Sequence, residues 1–218
     1  MGRHFSKKPA RTTRRARQSQ HQRHLTARPP SAHKRRGIGL ATGPQFDAPE
    51  IWHEPRGDGK LKILVQKPGS GYVHPVTPDE TRERIALLPP QFRKGLEYVQ
   101  LSRMTRKRRL FPCYGLQWGA TVYLYPVERE LEEPYLRAPS PRQRIESEMY
   151  GGRWIRDGAH WYLVWTKNTI RDYYLNNVLI HEIGHINDHR NTRFADRERY
   201  ANWFAIEYGY RASRQRRT

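Results

Sequence analysis

Residues 178–189 read Val-Leu-Ile-His-Glu-Ile-Gly-His-Ile-Asn-Asp-His, and this stretch decides the fold. Ile170, Tyr174, Val178, Ile183 and Ile186 recur at helical spacing. One amphipathic helix is therefore expected, capped by Thr169 with Asp172 three residues on, and running to about His189. Within it His181 and His185 stand at i and i+4, on one face about one turn apart. Two imidazoles so placed can reach one metal at about 2 Å each. Glu182 lies one step around from His181, too far round to be an equal ligand, and suits a base beside the metal. Apolar Val178, Leu179 and Ile180 put the helix in the interior, where imidazoles and a carboxylate need partners that a metal supplies. The alternative is two histidines on an ordinary amphipathic helix, with Glu182 in solvent.

A third ligand must come from another element. His189 continues the four-residue spacing, but it lies about 12 Å along the axis from His181, so one ion cannot bind all three histidines. His189 is read as a neighbour's partner or a surface group. Asp188 either orients a ligand histidine through its free ring nitrogen or forms a solvated helix end. Asn191 and Thr192 break the helix, and a final helix is expected over roughly Phe194 to Tyr208, before Gly209. There Ala201, Asn202 and Ala205 share the face of Glu198 at i+3, i+4 and i+7. Small side chains let two helices approach closely, which would turn Glu198 toward the histidine pair. Asp196 falls on a different face and reads as a first-turn charge favoured by the helix dipole. Two histidines, one carboxylate and an open fourth position describe a catalytic zinc site rather than a structural one.

The sequence thus predicts Zn2+ held by His181, His185 and Glu198, with Glu182 as the catalytic base. Zinc acidifies water and polarises a carbonyl, and Glu182 would carry the proton from that water to a leaving amine. Tyr200, Tyr208, Arg199 and Tyr210 are all candidates for the donor to an oxyanion.

Working outward, ordered structure is expected from Lys60. Residues 61–66 (LKILVQ), Tyr98–Leu101 and 120–126 (ATVYLYP) read as strands. Thr77-Pro78-Asp79-Glu80 opens a helix with a capping box and a proline at its first position. That helix should reach about Leu88, where Pro89 and Pro90 stop it, with a second short helix near Gln91–Leu96. Arg153–Ile155 and His160–Thr166 should form a hairpin across Arg156-Asp157-Gly158. His160–Thr166 is either an edge strand able to accept an extended peptide or a core strand under the helix. Glu128–Arg144 reads as loop or irregular helix. The fold class is α+β: a small mixed β-sheet packed against the HExxH helix and a following C-terminal helix.

Charge divides the chain. Of a formal net charge of +20, residues 1–45 supply 12 Lys or Arg and no Asp or Glu, leaving +8 for the rest. With so few large apolar residues this segment cannot bury enough surface to offset chain entropy, so 1–45 reads as a disordered basic tail. Gly- and Pro-rich 46–59 reads as linker, 60–210 as the folded domain and 211–218 as a basic C-terminal tail. Arginines such as Arg14, Arg15 and Arg17 could neutralise phosphates without reading sequence. A tail that only solubilises and an Arg-rich transit peptide are the alternatives. Arg103, Arg106, Lys107, Arg108 and Arg109 form a second basic cluster, read as an exposed loop. No run approaches the roughly 20 apolar residues of a membrane span and no apolar run follows the start, so no membrane partner is expected. The single cysteine, Cys113, cannot form an internal disulfide or a cysteine-rich zinc site; it reads as a small buried hydrophobe in a reducing, cytoplasmic setting.

The segment HEIGHINDH followed by ERYANWFA resembles the ImmA/IrrE-like zinc peptidases. That family typically shows HExGHxxxH, then a Glu three residues before Ala-Asn or a similar pair, then Phe-Ala. Here those positions are His181, Glu182, Gly184, His185 and His189, then Glu198, Ala201, Asn202, Phe204 and Ala205. The resemblance is close from His181 to Ala205 and loose over Thr77–Ala205. It implies a zincin-like fold, a gluzincin-type site with Glu198 as third ligand, and proteolysis of regulatory proteins such as DNA-bound repressors. Where the family continues into Leu-Leu-Met-Pro this chain reads Ile-Glu-Tyr-Gly-Tyr, and it shows no helix-turn-helix pattern. A zinc metallopeptidase acting on a protein or peptide substrate, its tail on nucleic acid or acidic partners, is the leading expectation. A catalytically inactive zincin-like nucleic-acid-binding protein is the alternative.

Overall fold

The computed structural model of the 218-residue chain describes residues 48–215. The tail expected over 1–45, the first two linker residues and Arg216–Thr218 lie outside the described residues. The chain is α+β. In order come β1 (Lys62–Val65), β2 (Tyr72–Val73), α1 (Pro78–Ala86), β3 (Tyr98–Leu101), α2 (Arg106–Leu110), β4 (Gly115–Trp118), β5 (Thr121–Leu124), β6 (Val127–Glu128), β7 (Glu132–Tyr135), α3 (Pro141–Met149), β8 (Arg153–Asp157) and β9 (His160–Val164). Helix α4 (Lys167–Tyr173), a wide π turn (Tyr174–Val178) and α5 (Leu179–Asn187) follow without a break. The chain then closes with α6 (Phe194–Phe204), a second wide turn (Ala205–Arg211) and α7 (Ala212–Gln215).

The strands form three sheets rather than one. Four strands run in the order β1-β3-β5-β4, with β1, β3 and β5 parallel and β4 antiparallel at the edge. A two-stranded pair joins β2 to β6, and an antiparallel trio runs β7-β9-β8. Both β3 and β5 are buried along their whole length, because both faces of the sheet are covered. Val99, Leu101, Val122 and Leu124 belong to the main core with α5 residues Leu179, Ile180 and Ile183. The opposite face carries Tyr98, Gln100 and Tyr123, and residues 48–58 lie over it. His53 stacks on Tyr98 and Tyr123 and its Nε2 is 2.7 Å from Gln100 Oε1. The Gly57 amide donates to Glu97 Oε1 at 2.9 Å. The stretch expected as linker has no regular element over these residues, yet it serves as a strap that seals the sheet.

Several elements differ from their sequence expectation. Helix α4 is capped by Thr166, not Thr169: Thr166 accepts from the Thr169 amide, and Thr169 returns the bond as the inner half of a capping box. Residues 128–144, expected as loop or irregular helix, hold β7 and the start of α3, whose Ser140-Pro141-Arg142-Gln143 repeats the capping pattern seen at Thr77. The helix expected at Gln91–Leu96 is a 3₁₀ turn at Pro90–Phe92. Strand β4 had no sequence assignment, and the basic cluster read as an exposed loop holds helix α2, with Arg108 buried. The last helix does not end at Tyr208. It continues to Gln215, because Arg214 pairs with Asp172 at 2.8 Å and lies over the Tyr210 ring.

The two wide turns face each other and free backbone carbonyls from the regular ladder, as π turns do. Those carbonyls find side chains. Tyr150 Oη donates to the Asn176 carbonyl at 3.0 Å, and Arg84 donates to the Tyr208 carbonyl and, at 2.6 Å, to Asn176 Oδ1. Asn176 Nδ2 in turn donates to Asp172 at 2.7 Å. Gly209 lets the turns meet: a Cβ there would collide with the Asn176 carbonyl oxygen, which is backbone and cannot swing away. Gly209→Ala is therefore expected to destabilise the fold by about 3 kcal/mol, the upper part of the range for overpacking. Chemical denaturation of the purified full chain measures this, and a loss under about 0.5 kcal/mol, the level of neutral surface changes, would contradict it.

Candidate metal centre

The wide turn at Tyr174–Val178 leads directly into α5, whose buried face carries His181 and, one turn later, His185. Helix α6 crosses α5 where Gly184 meets Ala201. A Cβ on Gly184 would stand 3.1 Å from the Ala201 Cα and 3.1 Å from the Phe204 Cβ, so the crossing is as tight as a glycine permits. Ala201 is buried there, as the small-residue face of the last helix predicts. One turn earlier on α6, Glu198 is thereby turned onto the histidine pair.

The three side chains converge. His181 Nε2 and His185 Nε2 are 3.1 Å apart, His185 Nε2 is 3.3 Å from Glu198 Oε1, and His181 Nε2 is 3.6 Å from Glu198 Oε2. Ligands about 2.0–2.1 Å from a tetrahedral ion sit about 3.3 Å from one another. All three separations fall near that value, His181 and His185 each facing a different oxygen of Glu198. Two imidazole nitrogens directed at each other cannot both donate, and a cation between them resolves the contact. The group could hold a metal ion, and among the described residues it is the one cluster of three or more metal-ligating side chains.

Charge within the site is coupled. Burial disfavours the His181 imidazolium, yet the Glu198 hydrogen bond and the charges of Glu182, Glu198 and Glu146 together raise its pKa above the usual 6.5. Burial also works against the Glu198 carboxylate, but hydrogen bonds from His181 and His185 bring it down from 4.5 to about 2. Glu182 lies over β4: a Cβ on Gly115 would stand 2.8 Å from Glu182 Oε1 and 2.8 Å from the Val178 methyl. Glu182 therefore sits between α5 and the edge strand.

Not every expected residue joins the site. Helix α5 ends at Asn187, not His189, because Asp188 leaves the helix and its Oδ1 accepts from the Asn191 amide at 3.1 Å and the Asn191 side chain at 3.0 Å. Asp188 thus fastens the loop, and the Nδ1 atoms of both ligand histidines are buried with no hydrogen-bond partner among the described residues. His189 is exposed. Arg199 pairs with Asp196 at 3.0 Å on the surface. Tyr200 and Tyr208 pack with Phe204, and Tyr210 packs on Tyr150. Strand β9 is the middle strand of its sheet, hydrogen-bonded on both sides by β7 and β8, so it is not the open edge considered for His160–Thr166. The edge strand beside α5 is β4. Cys113, just before β4, is partly buried rather than enclosed; burial, with Glu182 and Glu50 nearby, raises its thiol to about 11. It is a poor thiolate.

Two residues emerge only from the structure. Glu146 on α3 accepts from Asn177 Nδ2 at 2.8 Å and Tyr173 Oη at 3.1 Å, and its charge acts on His181. Asn177 precedes His181 by four residues, a spacing visible in the sequence, whereas nothing there marks Glu146. Among the described residues no helix is long and apolar enough to cross a membrane. Compared with known proteins, the chain matches no family model, no curated protein and no solved structure.

In the metal-free protein, Glu198 contributes stability above its ordinary 4.5, and this is lost as pH falls through about 2. His181 contributes stability below its ordinary 6.5, and this is lost as pH rises through its raised value. A metal requires neutral imidazoles, so it competes with that proton. Zinc is therefore expected to raise the melting temperature of the chelator-treated protein more at about pH 8 than at about pH 5.5. Glu198→Ala, which removes a direct ligand, should weaken zinc binding by more than about a hundredfold, the upper figure for losing an outer partner. A thermal-shift series with competitive chelators reads both. A zinc response independent of pH, or unaltered in Glu198→Ala, would contradict the site.

Proposed function

We propose that the protein is a zinc-dependent peptidase acting on a protein or peptide substrate. The observation that carries this reading is the convergence of His181 Nε2, His185 Nε2 and the Glu198 carboxylate, with Glu182 beside them against an edge strand. Two imidazoles and a carboxylate suit Zn2+ and leave a fourth position for substrate. The mixed sheet with its antiparallel edge strand, the HExxH helix under it and the carboxylate helix behind together fit a zincin-like arrangement. The likeness of His181–Ala205 to the ImmA/IrrE-like peptidases supports the same reading.

Each residue has a task. His181, His185 and Glu198 hold the metal, whose Lewis acidity, when it is bound, acidifies water and polarises a carbonyl. Glu182 accepts the proton of the attacking water and delivers it to the leaving amine. Its carboxylate is confined between Val178 and β4, which fixes it for that transfer. Among the described residues strand β4 pairs with β5 on one side only, so an extended peptide can add along its other side by backbone hydrogen bonds and pass over Glu182. Burial keeps the Cys113 thiol protonated, which leaves Glu182 as the base on that side.

Zinc-loaded wild type and Glu182→Gln, incubated with an unfolded protein mixture and compared by mass spectrometry of new amino termini, test the proposal. Glu182→Gln should retain zinc and lose about 10²–10⁴ in rate, the contribution of a positioned acid–base group. Gly115→Ala should also retain zinc but displace Glu182, with a loss of up to about a hundredfold in kcat. New termini equal in number for wild type and Glu182→Gln would end the peptidase reading.

A further inference from the structure

Residues 103–111 read Arg-Met-Thr-Arg-Lys-Arg-Arg-Leu-Phe, five cations without an acid. Arg108 is occupied within the fold. It lies over the Tyr125 ring at 4.5 Å, 3.6 Å from Glu50, and donates to Cys113 Sγ and the Ala48 carbonyl, each at 3.3 Å. Arg103, Arg106 and Arg109 are exposed, and none of their guanidinium groups has an ion-pair or hydrogen-bond partner among the described residues. The acid near them, Glu50, is committed to Thr105 at 2.6 Å, Tyr125 at 3.2 Å and Arg108.

Large apolar side chains stand in the same place. Thr105 caps the start of α2, and two residues beyond its partner Glu50 comes Trp52, 58% exposed. At the other end of the helix are Leu110 and Phe111, each 48% exposed. A five-residue helix spans only about 7.5 Å. Unpaired guanidinium groups and the exposed Trp52 ring therefore share one small surface. Ala48 is held there too: Lys107 Nζ donates to its carbonyl at 2.6 Å, and residues 1–45, which precede it in the sequence, carry 12 Lys and Arg.

We propose that α2 and the strap at Ile51–Trp52 form a docking surface for single-stranded nucleic acid. Phosphates take Arg103, Arg106 and Arg109, while unpaired bases offer flat faces to Trp52. Stacking of this kind is open to any base, but a duplex hides those faces. An anionic membrane matches the charge less fully. Residues 1–45 carry many cations and few large apolar residues, and a phosphate backbone rewards each added cation through counterion release. The surface lies at the start of β4, because Arg108 touches Cys113, whose thiol is close enough to feel the Glu182 charge. A protein held on that nucleic acid would lie beside the cleft. Nucleic-acid binding itself does not depend on the peptidase reading.

The test uses the full chain and fluorescence anisotropy with a labelled oligothymidylate, a duplex of equal length and phosphatidylserine vesicles. The variants are the triple Arg103→Ser/Arg106→Ser/Arg109→Ser, Trp52→Ala, and a control triple, Arg129→Ser/Arg137→Ser/Arg153→Ser, that removes the same charge from other exposed positions. The α2 triple should bind oligothymidylate about tenfold more weakly, and the slope of log affinity against log salt should fall by about 2, at roughly 0.7 per phosphate lost. Trp52→Ala should weaken oligothymidylate binding about tenfold, one stacked base, and leave the duplex unchanged; Trp52→Phe should restore most of it. The proposal is overturned if the control triple loses as much as the α2 triple, or if Trp52→Ala binds oligothymidylate like wild type. It is equally overturned if Trp52→Ala lowers binding to vesicles but not to oligothymidylate.

Discussion

Helices α5 and α6 can share a metal only because no side chain separates them at their crossing. Gly184 gives α5 a bare surface, where a Cβ would stand only 3.1 Å from the Ala201 Cα and the Phe204 Cβ. A carboxylate side chain is short, so Glu198 reaches the histidine pair only at this separation. The wide turn before α5 adds a second constraint. Its loosened carbonyl at Asn176 is caught by Tyr150, and the facing turn is caught by Arg84, so the helix enters the core with a fixed rotation. The donor set is thus built into the packing of the C-terminal helices before any ion arrives.

The protein also separates its charges. Glu182, Glu198 and Glu146 gather around His181, so the interior of the site is acidic inside a strongly basic chain. Such a centre draws a cation inward, while the outer surface draws polyanions. The strap over residues 48–58 connects the two regions. It seals one face of the sheet through His53, and its acid, Glu50, holds Arg108 beside Cys113 at the start of the edge strand. Sheet stability, the basic surface and the cleft therefore share residues.

Much of the site is legible in the sequence because its logic is local. The i, i+4 histidines and the small residues following Glu198 each state their face by spacing alone. The capping box at Thr77 is equally plain, and the same pattern at Ser140 marks α3, though proline and charge around it suggest a loop. Thr166 and Thr169 are both credible caps, and only the end of β9 at Val164 decides between them. Other features depend on distant partners. Gly-Leu-Gln-Trp at β4 has no strand pattern of its own and is held by β5, while the side-chain space it leaves for Glu182 is invisible until the helix is laid over it. Nothing in the helical periodicity of 170–186 announces a wide turn, and Glu146 comes to His181 through the packing of α3.

X-ray absorption at the zinc edge of the zinc-loaded full chain tests the central claim most directly. The account predicts one ion per chain, ringed by nitrogen and oxygen at about 2.0 Å, with the multiple-scattering signature of two imidazoles. A sulfur neighbour at about 2.3 Å, or a signature requiring three imidazoles or one, would place the metal on residues other than His181, His185 and Glu198 and contradict it.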